Sequence, residues 1–275
     1  MIIVIINTAL AFHTESAVAM ISGLSDRQSK TGKKTWFIHT SGTSSIADRP
    51  ISKIYCESRE FHDTDDIYTY ELNRESYEAY KQRTTDLAVF QIGRALAVKT
   101  TIVKPPTIFG LGTGPINKLS IQIPGLIRRA LQYGQAVVIG DGHGQWDHVH
   151  IEDLVRLFEL VLIKVLNGGE DVPYGLKGLL FAETGRHTWL DISKAIGAAG
   201  VELGALKTDE VRSVPLAEAA AWVASGSEQV RELGFASNSR SKATLSRALG
   251  WEPKHETDWQ TAVKVDFEAI LNAEA

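Results

Sequence analysis

This sequence has a single cysteine, no excess of positive charge and no long hydrophobic run, and each of these features excludes a class of protein. Cys56 is the single cysteine among 275 residues, so no internal disulfide can form. No cluster of cysteine and histidine has zinc-site spacing, so we expect no metal site and a reducing compartment, the cytoplasm. The formal net charge of −4 supplies no basic surface for nucleic acid or for an anionic membrane.

The apolar run at residues 2–6 is too short to span a bilayer, and no other stretch approaches the required length. No lysine or arginine precedes Arg27, so the run lacks the basic start of a secretion signal. Five β-branched residues in succession favour a parallel strand that is covered on both faces. We therefore predict a strand here, and neither a membrane nor a nucleic acid as a partner.

Strands and helices alternate along the first half of the chain. After the first strand, the patterns predict helices at residues 14–32 and 73–96, and strands at 35–40 and 100–104. This alternation is typical of α/β proteins with a parallel, doubly wound sheet. Further along, a helix at residues 152–166 has an apolar stripe so wide that we expect it to be nearly buried.

Hydroxyl side chains follow the strand at residues 35–40. Ser41 and Thr43 stand where that strand ends, and ligands of open α/β sheets bind at the carboxyl ends of strands. Small polar residues are also the usual material of a tight turn. Both interpretations, a substrate-orienting hydroxyl and a simple turn, remain open at this point.

A tyrosine and a lysine stand four residues apart within the helix predicted at residues 73–96. Tyr77 and Lys81 would lie on one helical face, so a phenol and an ammonium could address the same point. The same spacing is common on solvated helices. A shift of register would bring Tyr80 and Arg83 there instead, and an arginine would keep the charge but hold its proton too firmly to titrate.

Four stretches of the chain have the order and composition of a known family. They are residues 3–9 (IVIINTA), 37–43 (FIHTSGT), 104–110 (KPPTIFG), and 138–142 together with 146–154 (VIGDG and WDHVHIEDL). In this order they resemble the extended short-chain dehydrogenase/reductase family, also called the NAD-dependent epimerase/dehydratase family. The last stretch is the most specific, because several residue types match in one register.

The resemblance implies a Rossmann fold and an oxidoreductase or epimerase reaction at a hydroxyl or carbonyl of a small organic substrate. In such enzymes a serine or threonine orients the substrate oxygen, and a tyrosine whose pKa a lysine lowers passes the proton. The nicotinamide of NAD or NADP gives or takes the hydride. By this resemblance, the catalytic roles fall to Ser41, Thr43, Tyr77 and Lys81.

The resemblance also assigns a cofactor side to the predicted sheet. It implies that Asn7, Thr8 and Ala9 lie beneath the bound cofactor, since small residues permit close approach there. It further implies that Pro105 and Pro106 shape the loop on the nicotinamide side. Alternatively, residues 7–9 only form a turn at the end of their strand, and the two prolines only end the strand before them.

The glycine loop of the family is missing. Such enzymes open with strand, Gly-x-x-Gly-x-x-Gly and helix, which grip the diphosphate, but the first glycine here is Gly23. We therefore expect a partial doubly wound parallel sheet, a truncated Rossmann fold that begins at the family's fourth strand, over residues 1–117 and 144–168. A smaller C-terminal substrate-side region would take residues 118–143 and 169–275. NAD or NADP binding would then be weakened or lost.

Two functions are compatible with this sequence. The first is an NAD(P)-dependent oxidoreductase or epimerase, and the second is a non-catalytic truncated remnant or regulatory relative of the family. With its neighbours missing, the strand at residues 2–6 would form an open, apolar sheet edge, which predicts self-association. The resemblance separately implies a homodimer through the helices beside the first two strands.

Overall fold

The structure, a computed structural model, describes residues 2–222 and 226–274, in which strands and helices alternate. The strands are β1 (Ile3–Asn7), β2 (Thr35–Thr40), β3 (Phe61–His62), β4 (Lys99–Lys104), β5 (Thr107–Phe109), β6 (Ala136–Ile139), β7 (Gln145–His150), β8 (Leu179–Phe181), β9 (Gly185–Thr188), β10 (Val211–Val214) and β11 (Ser241–Lys242). The helices are α1 (Thr14–Thr31), α2 (Ile67–Tyr77), α3 (Lys81–Ala95), α4 (Gln122–Tyr133), α5 (Ile151–Leu166), α6 (Trp189–Glu202), α7 (Leu216–Ala220), α8 (Glu228–Phe235), α9 (Thr244–Ala248) and α10 (Trp259–Glu274).

The main sheet is parallel throughout and has the strand order β1-β2-β4-β8. Its strands are joined by helices, because parallel neighbours need a crossover connection. The predicted α/β fold with a parallel sheet is thereby confirmed. The strand β8 lies within the range that the sequence assigned to the second region, and the domain boundaries stay a prediction.

The first strand occupies one edge of the main sheet. Within the described residues, β1 pairs with β2 alone, in the register Ile3 to Thr35. The side chains of residues 2–5 are partly buried, and Ile6 is 37% exposed. Because these side chains are only partly buried, the expectation that the strand is covered on both faces is wrong. Its position at an edge agrees with the open sheet edge expected at residues 2–6.

The described residues also form three smaller sheets. In the strand order β5-β7-β9, the first pair is parallel and the second antiparallel. The other two are the parallel pairs β6-β10 and β3-β11. Since β5 follows the carboxyl end of β4 after two residues, the sheet of β5, β7 and β9 begins at that end of the main sheet.

Two hydrophobic clusters fill the interior. One surrounds the main sheet and contains Trp36 and Phe90, and the other lies among α4, α6 and α10 and contains Trp189 and Phe267.

A buried ion pair joins segments that lie far apart in sequence. The Arg49 Nε donates to the Glu232 carboxylate of α8 over 2.9 Å, and that carboxylate also accepts the backbone N–H groups of residues 51 and 52.

The helix α5 confirms the predicted element but not its predicted burial. Leu157, Val161 and Val165 are fully buried, whereas Val155 and Ile163 are 56% and 49% exposed. The apolar stripe is thus wider than the surface that the described chain packs against it. None of the helices in the described part of the chain is long and apolar enough to cross a membrane.

Candidate functional site

The carboxyl ends of β1, β2 and β4 bring polar side chains to one edge of the main sheet. Because these strands are parallel, residues that follow them in sequence meet at the same end. Asn7 of β1 lies 3.0 Å from the His39 ring of β2, measured from Nδ2 to Nδ1, and both side chains are buried. The strand β4 ends beside them at Lys104.

A fully buried charge cluster lies under this edge. The Lys104 Nζ lies 2.8 Å from Asp86 Oδ2, donates to Ser45 Oγ over 2.6 Å, and also donates to the Glu71 carboxylate. Burial raises the pKa of both carboxyl groups despite the attraction of Lys104. Burial alone would lower the pKa of Lys104, but the two carboxylates hold it above its usual range. Since two carboxylates share one ammonium, the cluster binds protons more tightly than isolated carboxylates would.

The neighbouring imidazole contributes no charge at neutral pH. Burial, together with the nearby Lys104 ammonium, lowers the pKa of His39 to about 4. Its Nε2 lies 3.8 Å from Asp86 Oδ1, too far for a hydrogen bond. The hydrogen bonds of this edge are therefore made by neutral groups around one ammonium and its two carboxylates.

The first predicted hydroxyl, Ser41, is held by this cluster. Its Oγ donates to Asp86 Oδ2 over 2.6 Å and accepts from Gln82 Nε2 over 3.2 Å. Its proton is thus committed to a carboxylate, and the residue is only 8% exposed. Gly42 allows this approach, because a Cβ there would lie 2.7 Å from the Gln82 amide nitrogen.

The second predicted hydroxyl, Thr43, is fully buried in the turn that follows. Its backbone N–H donates to the Pro105 carbonyl, and its own carbonyl accepts from Ser239 Oγ. Its Oγ1 has no hydrogen-bond partner among the described residues. The main chain of Thr43 therefore ties the turn to both halves of the molecule.

A third hydroxyl in the same turn meets a phenol. The Tyr80 hydroxyl lies 3.1 Å from Ser44 Oγ and 3.3 Å from Gln82 Oε1, and Ser44 Oγ donates to the same amide oxygen over 2.6 Å. Tyr80 is 5% exposed, and the Phe12 ring lies edge-on against it at 6.2 Å. Burial raises the pKa of Tyr80 to about 12. At neutral pH this phenol is therefore protonated.

The pair Tyr77 and Lys81 does not share a helical face. The helix α2 ends at Tyr77 and α3 begins at Lys81, with extended backbone at Glu78 and Tyr80 between them. The single helix predicted over residues 73–96 is therefore wrong. Tyr77 is 86% exposed and Lys81 is also exposed. Their catalytic role stays a prediction, but the spacing argument for it no longer applies.

Polar contacts among neighbouring residues, together with one from the turn after β2, stabilise the break between these helices. The Glu75 carboxylate accepts the Tyr80 backbone N–H over 3.1 Å and Arg83 Nε over 3.0 Å. The Arg83 guanidinium, which is fully buried, also donates to the carbonyls of Ser45 and Glu78. It lies 5.9 Å from the Tyr80 ring, so in the alternative register the structure does bring tyrosine and arginine together.

The residues predicted to face a cofactor are split between two environments. Asn7 is buried, and its Oδ1 accepts the Ala9 backbone N–H over 3.1 Å, whereas Thr8 and Ala9 are exposed. Pro105 and Pro106 are buried on the other side of the edge. Small exposed residues above a polar strand end fit the approach of a nicotinamide ribose. No Gly-x-x-Gly-x-x-Gly sequence occurs in the chain, so nothing comparable fits a dinucleotide diphosphate.

One group of described residues has the composition of a metal site. His150, His255 and Asp258 place one ligand atom each within 4.8 Å of one another. Some of the ring nitrogens have partners outside the group: His150 Nδ1 accepts the Glu152 N–H, and His255 Nε2 lies 3.3 Å from Glu152 Oε2. The two rings stack at 4.4 Å instead of pointing at a common centre, so this arrangement does not favour a metal ion.

Three comparisons place this architecture among known proteins. Residues 29–174 match a model of the NAD dependent epimerase/dehydratase family. The chain is 27% identical over 263 residues to the oxidase ucsJ of an Acremonium species, which covers 91% of this chain and 73% of that protein.

Among solved structures, the chain resembles UDP-glucose 4-epimerase of Thermotoga maritima with UDP-glucose (TM-score 0.57, 15% identity, 99% of this chain and 78% of the other). It also resembles dTDP-glucose 4,6-dehydratase of Bacillus anthracis in complex with NAD (TM-score 0.61, 14% identity, 98% and 73%). At these identities the structural likeness shows the fold, which the predicted Rossmann-type sheet matches. Because the family model matches more than half of its length, the chain belongs to the NAD-dependent epimerase/dehydratase family.

Proposed function

We propose that this chain is an NAD(P)-dependent oxidoreductase-type protein that acts on a hydroxyl or carbonyl of a small organic substrate. The observation that carries the proposal is the contact between the Tyr80 phenol and the Ser44 hydroxyl at the carboxyl edge of a parallel sheet. Redox chemistry is inferred from the family, and the Tyr80 phenol in this contact is a group that can transfer a proton. The region at residues 118–143 and 169–275 would provide the substrate side, and the single Cys56 fits a cytoplasmic location.

In this proposal Ser44 orients the substrate oxygen and Tyr80 exchanges a proton with it. Burial raises the pKa of Tyr80 to about 12, so at neutral pH the phenol is protonated and is in the state that can donate to a carbonyl oxygen. Ser41 acts as a positioning residue, since its hydrogen bonds with Asp86 and Gln82 fix the turn that carries Ser44. The bound nicotinamide would supply the hydride.

Cofactor binding is proposed to be weak. Asn7, Thr8 and Ala9 on one side, with Pro105 and Pro106 on the other, would flank the nicotinamide. No residue of the chain reproduces the glycine loop whose backbone N–H groups hold the diphosphate. We expect millimolar affinity for NADH or NADPH in place of the tight binding that a complete loop provides.

A non-catalytic relative of the family is the second candidate function, and one contact favours it. The groups within hydrogen-bond distance of the Tyr80 hydroxyl are a serine and a glutamine amide, neither of which carries a positive charge. A lysine ammonium in that place would lower the pKa of the phenol, whereas the Gln82 amide does not. A regulatory role would keep this network as a structural element only.

Titration of the purified chain with NADH and with NADPH, followed by nicotinamide fluorescence, separates the two functions. Saturable binding that Asn7→Leu weakens would support the oxidoreductase, because Asn7 lies beneath the proposed nicotinamide position. No binding of either dinucleotide at millimolar concentration would reject that function for this chain and favour the non-catalytic relative. Exposed Lys30 at the end of α1 lies outside every predicted site and provides the control, so Lys30→Met should leave the affinity unchanged.

A further inference from the structure

A second concave site lies at the amino ends of the main-sheet strands. A cavity of about 330 Å³ opens between the loop that joins α3 to β4 and the segment that precedes β8. Lys99, which lines this cavity, is the first residue of β4, whereas Lys104 of the buried charge cluster is the last. The cavity therefore lies at the end of the sheet opposite the candidate functional site. Its volume falls within the usual range for small-molecule sites.

Two cations and no carboxylate line this cavity. Arg94 is exposed and Lys99 is only partly buried, so both residues are accessible to a ligand from solvent. Neither side chain forms an ion pair or a hydrogen bond with any other residue in the described ranges. A concave surface that carries charge of one sign concentrates its electric field and raises the local concentration of counter-ions. The cavity is therefore suited to an anion.

Aromatic rings hold the Lys99 ammonium at the cavity. Its Nζ lies 4.8 Å from the centre of the Trp36 ring and 4.2 Å from that of the Tyr174 ring. The two rings meet edge-on at 5.6 Å, and Trp36 is buried. Ring faces attract an ammonium but provide no oxygen acceptor for its N–H groups, so these donors remain available. Tyr174 is 49% exposed, which leaves part of its ring free to contact a ligand.

The turn between the two cations brings them to the same cavity. Ala97 has a φ of +55°, the left-handed conformation that commonly ends a helix, and the Val98 N–H donates to the Gly93 carbonyl over 3.0 Å. The carbonyls of residues 96 and 97 accept from the Ser25 and Gln28 side chains of α1 over 3.3 and 3.2 Å. Free carbonyls at the end of a helix would repel an anion. Here those of residues 93, 96 and 97 are occupied, so this repulsion is reduced.

We propose that this cavity binds a small organic phosphate. The phosphate oxygens accept from the Arg94 guanidinium and the Lys99 ammonium, and the organic part packs against the exposed part of the Tyr174 ring. A phosphate monoester carries a charge of about −1.5 to −2 at neutral pH, so it matches two cations better than a carboxylate does. The site requires no redox cofactor, so its test does not depend on catalysis by the chain.

Isothermal titration of the full chain with phenyl phosphate tests the proposal, with benzoate and inorganic phosphate as matched controls. We expect saturable binding of phenyl phosphate and about tenfold weaker binding of benzoate, which carries a single negative charge. Inorganic phosphate should bind several-fold more weakly, because it has no ring to contact Tyr174. No saturable binding of phenyl phosphate at millimolar concentration, or equal binding of either control, would overturn the proposal.

Variants locate the binding. Arg94→Gln, which changes an exposed side chain, should weaken phenyl phosphate binding about tenfold, and Arg94→Lys should retain most of the affinity. Tyr174→Ala should weaken the binding of phenyl phosphate several-fold and leave that of inorganic phosphate unchanged. Lys194→Gln on α6 removes an exposed cation outside the cavity and should bind as the wild type does. If Arg94→Gln leaves the affinity unchanged, or if Lys194→Gln reduces it equally, the ligand binds elsewhere and the assignment is wrong.

Discussion

The Lys104 ammonium lies 2.8 Å from the Asp86 carboxylate, and neither side chain has any solvent-exposed surface. Glu71, equally buried, completes the cluster. Removing the cation with Lys104→Met would leave two uncompensated carboxyl groups in the interior. We expect a loss of about 3–5 kcal/mol in the free energy of unfolding, measured by urea denaturation.

Lys81→Met is the control for this loss, because Lys81 is exposed and its removal should change the stability by less than about 0.5 kcal/mol. Equal effects of the two variants would show that the buried cluster contributes no net stability. A double variant, Lys104→Met with Asp86→Asn, should recover part of the loss, since it removes one of the orphaned charges.

A buried carboxyl group in the C-terminal helix predicts a pH effect of known sign. Asp266 lies on α10, which packs against α4 and α6, and neither of its oxygens has a hydrogen-bond partner among the described residues. Burial raises the pKa of Asp266 from 3.8 to about 7. Since the folded pKa is above the unfolded one, its contribution to stability is complete below about pH 4 and is lost as the pH rises through 7.

The variant Asp266→Asn removes that loss. We expect it to match the wild type at about pH 4 and to exceed it by about 4 kcal/mol in free energy of unfolding at about pH 9. Glu268→Gln, two residues further along and exposed, should show no such dependence. If the difference in stability between Asp266→Asn and the wild type does not change with pH, the pKa of Asp266 is not raised in the folded protein and the prediction is wrong.

Tyr80 and Tyr77 make opposite predictions for catalysis. If the Tyr80 phenol exchanges the proton, Tyr80→Phe should lower kcat by about 10²–10⁴-fold in any carbonyl reduction that the chain performs with NADPH or NADH. Tyr68→Phe, which changes another tyrosine of α2, is the matched control and should leave kcat unaltered. Loss of activity in Tyr77→Phe with retention in Tyr80→Phe would restore the pair predicted from the sequence.

The edge strand β1 makes a prediction about association. Val4 is partly buried, and in the described chain the strand pairs on one side only. An apolar strand with unpaired backbone groups recruits other strands, so we expect the isolated chain to self-associate. Val4→Lys should shift light scattering towards the monomer, whereas Lys34→Val, nearby on the surface, should not. A wild-type chain that is monomeric at all concentrations would contradict this expectation.

The sequence predicts the regular elements well because each of them has a local signal. The strands at residues 35–40 and 100–104 and the helix α5 follow from β-branched runs and helical periodicity. The break after Tyr77 has no such signal, because the Glu75 carboxylate and the Arg83 guanidinium stabilise it through contacts that form only on folding.

The candidate site is less predictable for the same reason. Ser44 and Gln82 lie 38 residues apart in sequence. Gln82 stands in the polar first turn of α3, and no sequence pattern indicates that its amide will contact both a serine and a tyrosine. The sequence pointed to the turn at Ser41 and Thr43 and offered Tyr80 as the alternative register, and the catalytic role of these residues stays a prediction. Which tyrosine lies near that turn depends on the position of α3 relative to it, and that position is set by tertiary packing.

The ion pair between Arg49 and Glu232 has a consequence for how the molecule comes apart. One carboxylate neutralises a buried guanidinium and caps the backbone of residues 51 and 52, although 183 positions of chain separate the two partners. Unfolding of α8 would remove one of the two carboxylates that pair with this guanidinium, the other being Glu78, and would release the backbone N–H groups of residues 51 and 52. The helix α8 and the segment at residues 49–52 should therefore unfold together. Thermal or chemical melting should accordingly proceed as one cooperative transition, with equal calorimetric and van't Hoff enthalpies.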